Sequence, residues 1–97
     1  MVNAYGPNTC KEGLVWRETD SSDWVCVPSA TRTQAWNDNS VAKSRWFAGP
    51  YGPLTCISGH VWREAFYGDQ VCVTPDIRAE MRVYNAESGG KLRKSIA

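Results

Sequence analysis

Short apolar runs separated by polar turns predict two β-hairpins. The segments "GLVWRE" and "DWVCV" are rich in valine and tryptophan, and "TDSS" between them has the composition of a turn. Period-two alternation places Val15 and Arg17 on one face of the first strand, opposite Leu14, Trp16 and Glu18. The segments "GHVWRE" and "DQVCV", joined by "AFYG", predict the second hairpin in the same way.

A helix is predicted after each hairpin. Thr74 suits a helix N-cap, Pro75 suits the first helical position, and Gly89 suits the position after the helix end. The apolar stripe of this helix falls at i, i+4 and i+7, at Ile77, Met81 and Tyr84.

The helix after the first hairpin is predicted to start with Ser29 as its cap. It is expected to run toward Arg45, and it contains Ala35, Trp36 and Ala42.

Two closely similar segments occur along the chain at an offset of 46 residues: "YGPNTCKEGLVWRE" starts at Tyr5 and "YGPLTCISGHVWRE" starts at Tyr51. Fourteen of the twenty-three positions from 5 to 27 are identical in the two copies. Over the next eighteen positions the only identities are Arg32 with Arg78 and Asn39 with Asn85. A period of this size is typical of a duplicated supersecondary unit.

We therefore expect an α+β fold built from two tandem ββα repeats, each closed by a disulfide, at residues 5–45 and 51–91. Each repeat alone would bury too little surface for a stable fold. The connector "WFAGP" at residues 46–50 is short and lacks the Gly/Ser run of a flexible linker. These two points favour one pseudo-twofold domain spanning residues 1–97.

The four cysteines are predicted to form two disulfides, Cys10–Cys26 and Cys56–Cys72. Fifteen residues separate the members of each pair, and a hairpin brings each pair close in space. A zinc site is disfavoured because the chain has no Cys-x-x-Cys pair and its single histidine, His60, corresponds to a leucine in the first copy. Disulfides favour an extracellular or cell-surface location.

The composition disfavours several classes of partner. The formal net charge is +1, so nothing directs the chain toward nucleic acid or anionic lipid. No apolar run approaches the roughly 20 residues needed to span a bilayer, and the first residues carry no secretory leader pattern. Five tryptophans and four tyrosines in 97 residues instead point to an aromatic binding surface.

The spacing Gly-Pro-x-Thr-Cys-x-x-Gly-x-Val-Trp-Arg-Glu, followed by Asp-x-Val-Cys-Val and an arginine, resembles a repeat of actinobacterial and fungal extracellular proteins. The resemblance covers residues 6–32 and 52–78 and is strongest over "GHVWREA" and "DQVCVTP". It implies extracellular modules without a defined activity. By size and tryptophan content alone, the chain is also similar to small mushroom fruiting-body lectins.

The recurring tryptophans, Trp16 and Trp62, are either core residues or stacking platforms for a sugar ring. The candidate ligand-binding set consists of the polar and aromatic residues of both hairpins: Trp16, Arg17, Glu18, Asp23, Trp24, His60, Trp62, Arg63, Glu64 and Asp69. Within it, Asp23 and Asp69 suit turn formation better than ligand binding, and the recurring pairs Arg17–Glu18 and Arg63–Glu64 favour cross-strand or cross-unit pairing over sugar binding. The first copy has Trp24 where the second has Gln70, so the two sites should differ.

No catalytic signature is present: the chain has one histidine, no Gly-x-Ser-x-Gly, no His-Glu-x-x-His and no thiol outside the expected disulfides. We therefore expect a non-enzymatic, lectin-like protein that binds glycans. Galactose-type glycans are the first ligands that we expect, and we expect no cofactor or metal. It would bind no nucleic acid and could form a homodimer, because avidity requires at least two sites. The alternative is a protein-interaction or protease-inhibitor-like module.

Overall fold

A computed structural model describes residues 9–88 of the chain. Its elements in chain order are β1 (Val15–Trp16), β2 (Cys26–Val27), α1 (Ser29–Ser40), a 3-10 turn (Ala42–Arg45), β3 (Trp46–Gly49), β4 (Gly52–Cys56), β5 (Val61–Trp62), β6 (Cys72–Val73) and α2 (Pro75–Glu87). Within the described residues, the expected α+β class is confirmed, with two helices, three small antiparallel hairpins and two disulfides.

The chain divides into two compact units. Of the described residues, unit 1 contains 9–36 and 84–88, and unit 2 contains 37–83. The divisions fall inside α1 and α2 rather than at the connector between the predicted repeats. The expected start of repeat 1, the end of repeat 2 and the Gly89 cap lie outside the described residues.

In unit 1, β1 pairs with β2 so that Val15 lies opposite Val27 and Trp16 opposite Cys26. Cys26 bonds Cys10, with the two Cα atoms 5.6 Å apart. Both Cys26 and Val27 are fully buried, because the disulfide and the hairpin close over them. The buried apolar residues of this unit are thus Cys10, Cys26 and Val27 of the hairpin region and Ala35 of α1.

In unit 2, β5 and β6 have the same register, with Val61 opposite Val73 and Trp62 opposite Cys72. The disulfide Cys56–Cys72 again joins Cα atoms 5.6 Å apart. The core of this unit includes the buried residues Ala42, Ala65, Cys72, Val73 and Met81. Met81 is the central residue of the predicted α2 stripe, and its burial confirms which face of that helix packs inward.

The connector expected between repeats forms a hairpin of its own. Strands β3 and β4 pair across residues 46–56, with an irregular register after Phe47. The tight turn uses Gly52 at φ 101°, a conformation that favours glycine. The indole Nε1 of Trp46 donates to the Gln70 carbonyl oxygen at 2.8 Å, and Arg45 Nη1 donates to the Cys72 carbonyl oxygen at 2.8 Å. This hairpin is thus an integral part of unit 2.

The start of α2 agrees with its prediction, and that of α1 does not. The Thr74 carbonyl accepts the first amides of α2, so Thr74 occupies the N-cap position. In α1 the corresponding carbonyl belongs to Pro28, which accepts from Thr31 and Arg32. Ser29 is therefore the first helical residue, because the proline before it already occupies the cap.

The predicted extension of α1 to Arg45 is also wrong. The helix ends at Ser40, and residues 42–45 form a separate 3-10 turn. The last α1 residues, "NDNS", have low helix propensity because their side chains compete for backbone hydrogen bonds. Ser40 shows this competition directly, since its hydroxyl donates to the Asn37 carbonyl oxygen at 2.7 Å.

Candidate functional site

A buried arginine–aspartate pair lies inside the loop of each disulfide-closed hairpin. In unit 2, Arg63 Nε donates to Asp69 Oδ2 at 2.7 Å, and Nη2 donates to Oδ1 at 3.1 Å. In unit 1, Arg17 and Asp23 make the same two bonds at 2.7 and 3.2 Å. All four residues are buried. The bidentate geometry gives each hairpin an internal charged clamp.

Each clamp aspartate also organises the turn. Asp69 accepts the backbone amides of Ala65 at 3.0 Å and Val71 at 3.3 Å. Asp23 accepts the amides of Thr19 at 3.1 Å and Val25 at 3.2 Å. These bonds span the reversal between the two strands and determine its shape.

The clamps change the interpretation of four candidate ligand-binding residues, namely Arg17, Asp23, Arg63 and Asp69. Their charged groups bind each other and the turn amides, inside the hairpin and away from solvent. The two aspartates accept hydrogen bonds from the turn, as expected of turn-forming residues, and the two arginines pair with them across the hairpin. A ligand on the surface could not reach these charged groups without breaking the clamps.

The strands are shorter than predicted because the chain turns sharply after each clamp arginine. Glu18 and Glu64 have φ values of 56° and 57°, in the left-handed region that side chains other than glycine rarely adopt. The strands end at Trp16 and Trp62, and one more backbone hydrogen bond follows in each hairpin, from the Arg17 amide to the Val25 carbonyl oxygen and from the Arg63 amide to the Val71 carbonyl oxygen, both at 2.7 Å. The same unusual backbone conformation at equivalent positions directs both glutamates to the surface beside the helix that follows.

Burial and hydrogen bonding act in opposite directions on the Asp23 carboxyl. Burial raises its pKa, whereas the hydrogen bonds from Arg17 and Thr19 and the charge of Arg17 lower it, and the net effect is a pKa below the usual value. A carboxylate with a depressed pKa stabilises the folded state above its unfolded pKa of about 3.9. That contribution is lost as the pH falls through the lower, folded pKa.

We expect Asp23→Asn to flatten the acid limb of the stability curve. Between about pH 5 and 2, the free energy of unfolding should fall less steeply in the variant than in the unchanged protein, because the Asn side chain takes up no proton. Urea unfolding at a series of pH values measures this slope. Asp20→Asn, in the exposed turn, controls for the change in net charge. An unchanged slope in Asp23→Asn would contradict the pKa assignment.

Each unit has a surface groove beside its recurring tryptophan. The groove of unit 2 has a volume of about 330 Å³ and is lined by Tyr51, Thr55, Cys56, His60, Val61, Trp62 and Arg78. The groove of unit 1, also about 330 Å³, is lined by Thr9, Cys10, Lys11, Glu12, Leu14, Val15, Trp16 and Arg32. Six of the positions that line one groove correspond, at the offset of 46 residues, to positions that line the other.

Both recurring tryptophans are half-buried, so neither is a fully enclosed core residue. Trp62 Nε1 donates to the Leu54 carbonyl oxygen at 2.8 Å, which fixes the indole while part of it lines the groove. The Tyr51 ring lies edge-on to Trp62, with centroids 6.4 Å apart and planes at 70°. Tyr51 is 75% exposed, so the two rings form an aromatic corner open to solvent.

Arg32 and Arg78 were not among the predicted site residues, yet each lies in a groove. The sequence contained a signal for them. They are one of two identical pairs outside the closely matched segment, the other being Asn39 with Asn85, and both pairs lie on the helices. Of the two pairs, the arginines line the grooves, which links their recurrence to the hairpin groove.

The helical arginines also explain the two recurring glutamates. Glu64 Oε1 lies 3.6 Å from Arg78 Nη1 and 3.0 Å from Arg82 Nη2. Glu18 Oε2 lies 3.8 Å from Arg32 Nη1. All these groups are partly exposed, so the pairs position the side chains and contribute little to stability.

The remaining predicted residues differ between the grooves. Trp24 is 42% exposed and lies edge-on to Trp16, with centroids 4.6 Å apart, but outside the set that lines the groove. His60 lines the unit 2 groove, and its Nδ1 lies 3.2 Å from the Ser58 carbonyl oxygen.

Comparison of the chain with protein families, with curated proteins and with solved structures finds no match. Over residues 9–88, no cluster of three or more metal-binding side chains occurs. Neither helix in that range has the length and hydropathy required to cross a membrane.

Proposed function

We propose that this protein is a non-catalytic glycan-binding module with one sugar site in each groove, and that galactose-type sugars are the first ligands to test. The observation that carries the proposal is the pair of grooves, each with a half-buried indole, an arginine and a threonine at equivalent positions. The proposal rests on the assignment of residues 5–45 and 51–91 as copies of one ββα repeat, which the matching registers of the β1–β2 and β5–β6 hairpins support.

The chemistry of each groove suits a pyranose. A fixed aromatic face gains from contact with the C–H groups of a sugar ring, and galactose offers such a surface because its axial hydroxyl leaves one face apolar. In unit 2 the Tyr51–Trp62 corner offers a ring for stacking and a second ring for edge contact. Arg78 and His60 supply polar atoms for hydroxyl groups at the rim.

Glycan-array screening of the full chain, followed by titration of intrinsic tryptophan fluorescence, tests the proposal. We expect binding to galactosylated glycans and competition by free galactose. The absence of binding across a broad array, with the fold verified by circular dichroism, would refute it. Extracellular location and a homodimer, which would add avidity, are further proposals; the two disulfides fit the former.

Alanine substitution of Trp62 should weaken sugar binding in unit 2 by about two- to tenfold, since stacking on one indole contributes about 0.5–1.5 kcal/mol. Trp16→Ala should do the same in unit 1. Phe66→Ala provides a matched control, because Phe66 is a 38% exposed aromatic residue of unit 2 outside the groove lining. Isothermal titration calorimetry measures the affinities; equal affinities for the Trp62→Ala and Phe66→Ala variants would contradict the site.

A protein-interaction function is the second candidate, and the tip of the β5–β6 hairpin supports it. Tyr67 is fully exposed and Phe66 is 38% exposed, on a turn that Asp69 holds in place. Exposed aromatic residues on a preorganised loop are typical of interface hot spots. Competition separates the two candidates: free monosaccharide abolishes lectin binding and leaves a protein interface unaffected.

A further inference from the structure

The two grooves differ in electrostatic character, although their shapes correspond. In unit 1, the charged residues in and beside the groove are two cations and two carboxylates: Lys11, Arg32, Glu12 and Glu18. In unit 2, Lys11 and Glu12 are replaced by the uncharged Ile57 and Ser58. The charged residues there are two arginines and one carboxylate: Arg78, Arg82 and Glu64.

Arg32 and Arg78 also have different environments. The Arg32 guanidinium carbon lies 4.8 Å from the centre of the Trp36 ring, so this side chain is held between an aromatic face and Glu18. The position equivalent to Trp36 is Arg82 in unit 2. One carboxylate, Glu64, is therefore shared by Arg78 and Arg82, and the shorter of its two contacts goes to Arg82.

This arrangement leaves positive charge on Arg78 at the rim of the groove. Arg78 Nη1 lies 3.6 Å from Glu64 and Arg32 Nη1 lies 3.8 Å from Glu18, so neither contact is a normal hydrogen bond. The difference between the grooves is Arg82, which makes the shorter contact of 3.0 Å to Glu64 and so adds a second positive charge beside the same carboxylate. The Arg78 side chain is 29% exposed. A guanidinium group with an exposed edge is well suited to bind a carboxylate with two parallel hydrogen bonds. In the unit 1 groove the positive charges of Lys11 and Arg32 are balanced by the negative charges of Glu12 and Glu18, so no excess positive charge remains.

We infer that the unit 2 groove selects an acidic sugar, a hexuronic acid whose ring lies on Trp62 and whose carboxylate binds Arg78. The unit 1 groove takes the neutral sugar. This inference rests on the proposed function and specifies the ligand class of one of its two sites.

Three probes that share one ring configuration test the inference: methyl galactoside, methyl galactosiduronate and the methyl ester of the latter. They differ at C6 alone, where the groups are a hydroxymethyl, a carboxylate and an uncharged ester. Indole ¹H–¹⁵N NMR signals report binding at Trp62 and Trp16 separately. At Trp62 we expect the acid to bind about tenfold more tightly than the galactoside or the ester, the gain typical of a charge-assisted pair.

Arg78→Gln should remove the preference for the acid at Trp62 and leave binding of the galactoside detectable. Lys43→Gln, an exposed lysine of unit 2 outside the groove, controls for the lost charge and should retain the preference. Equal affinity for acid and ester, or a preference that survives in Arg78→Gln, would overturn the inference and leave glycan binding intact. If no probe and no array glycan perturbs either indole, the proposed function fails as well.

Discussion

Replacing Asp69 with alanine is expected to lower the free energy of unfolding by about 3–5 kcal/mol, the usual cost of removing one partner of a buried ion pair. The substitution leaves the buried Arg63 guanidinium without its counter-ion and removes the acceptor of the Ala65 and Val71 amides. One nitrogen of this group, Nη1, is already buried without a hydrogen-bond partner among the described residues. Little in the surroundings can therefore compensate for the loss.

Thermal and urea unfolding under oxidising conditions measure the effect of Asp69→Ala. Asp69→Asn should cost less, because the amide oxygen can still accept a backbone N–H. Glu80→Ala, at an exposed position of α2 in unit 2, controls for the loss of a carboxylate and should change the free energy by less than about 0.5 kcal/mol. A cost below about 1 kcal/mol for Asp69→Ala would show that the clamp is not a main source of stability.

Removing the disulfide of unit 2 with the double substitution Cys56→Ala/Cys72→Ala is expected to cost about 3 kcal/mol. The bond closes a loop with a sequence separation of 16 residues, and its main effect is to reduce the conformational freedom of the unfolded chain. The Cys10–Cys26 bond closes a loop of equal sequence separation, so the double substitution Cys10→Ala/Cys26→Ala should lower the free energy of unfolding by the same amount. Small domains have total stabilities of about 5–15 kcal/mol, so loss of both bonds, about 6 kcal/mol together, should remove a large share of the stability.

Urea midpoints of the two double-alanine variants, compared with those of the reduced and oxidised unchanged protein, test this expectation. Peptide mapping under non-reducing conditions verifies the pairing itself. Four free thiols or a linkage between Cys10 and Cys56 would contradict the pairing. An unchanged midpoint after reduction would contradict its energetic role.

The hairpins and disulfides were predictable because their signals are local. The strand-forming residues valine and tryptophan, together with the equal spacing of the cysteines, predict both the hairpins and the pairing of the cysteines. The dipeptide Thr74-Pro75 predicts the start of α2. The β3–β4 hairpin was missed because "WFAGP" is too short to show period-two alternation. Its strands are held by contacts distant in sequence, such as that between Trp46 and Gln70.

The candidate site was only partly predictable, because a sequence shows charges but not their partners. Arg17 and Arg63 belong to the most closely matched segment and were therefore candidates for binding, yet their strands direct them inward to the turn aspartates. Arg32 and Arg78 lie in poorly matched helices and were passed over. The closely matched segment thus contains both the clamp residues and the groove tryptophans, and one of the two isolated pairs on the helices, Arg32 with Arg78, completes the groove lining.

The most direct test of glycan binding at the grooves is a sugar titration followed by indole ¹H–¹⁵N NMR. Addition of methyl galactoside should shift the signals of Trp16 and Trp62 in a saturable manner. The signal of Trp46, whose indole donates to a backbone carbonyl within unit 2 and lies outside the groove lining, should not move. Unchanged Trp16 and Trp62 signals with this sugar and with every glycan retained on the array, or shifts confined to Trp46, would contradict the assignment of these two grooves as sugar sites.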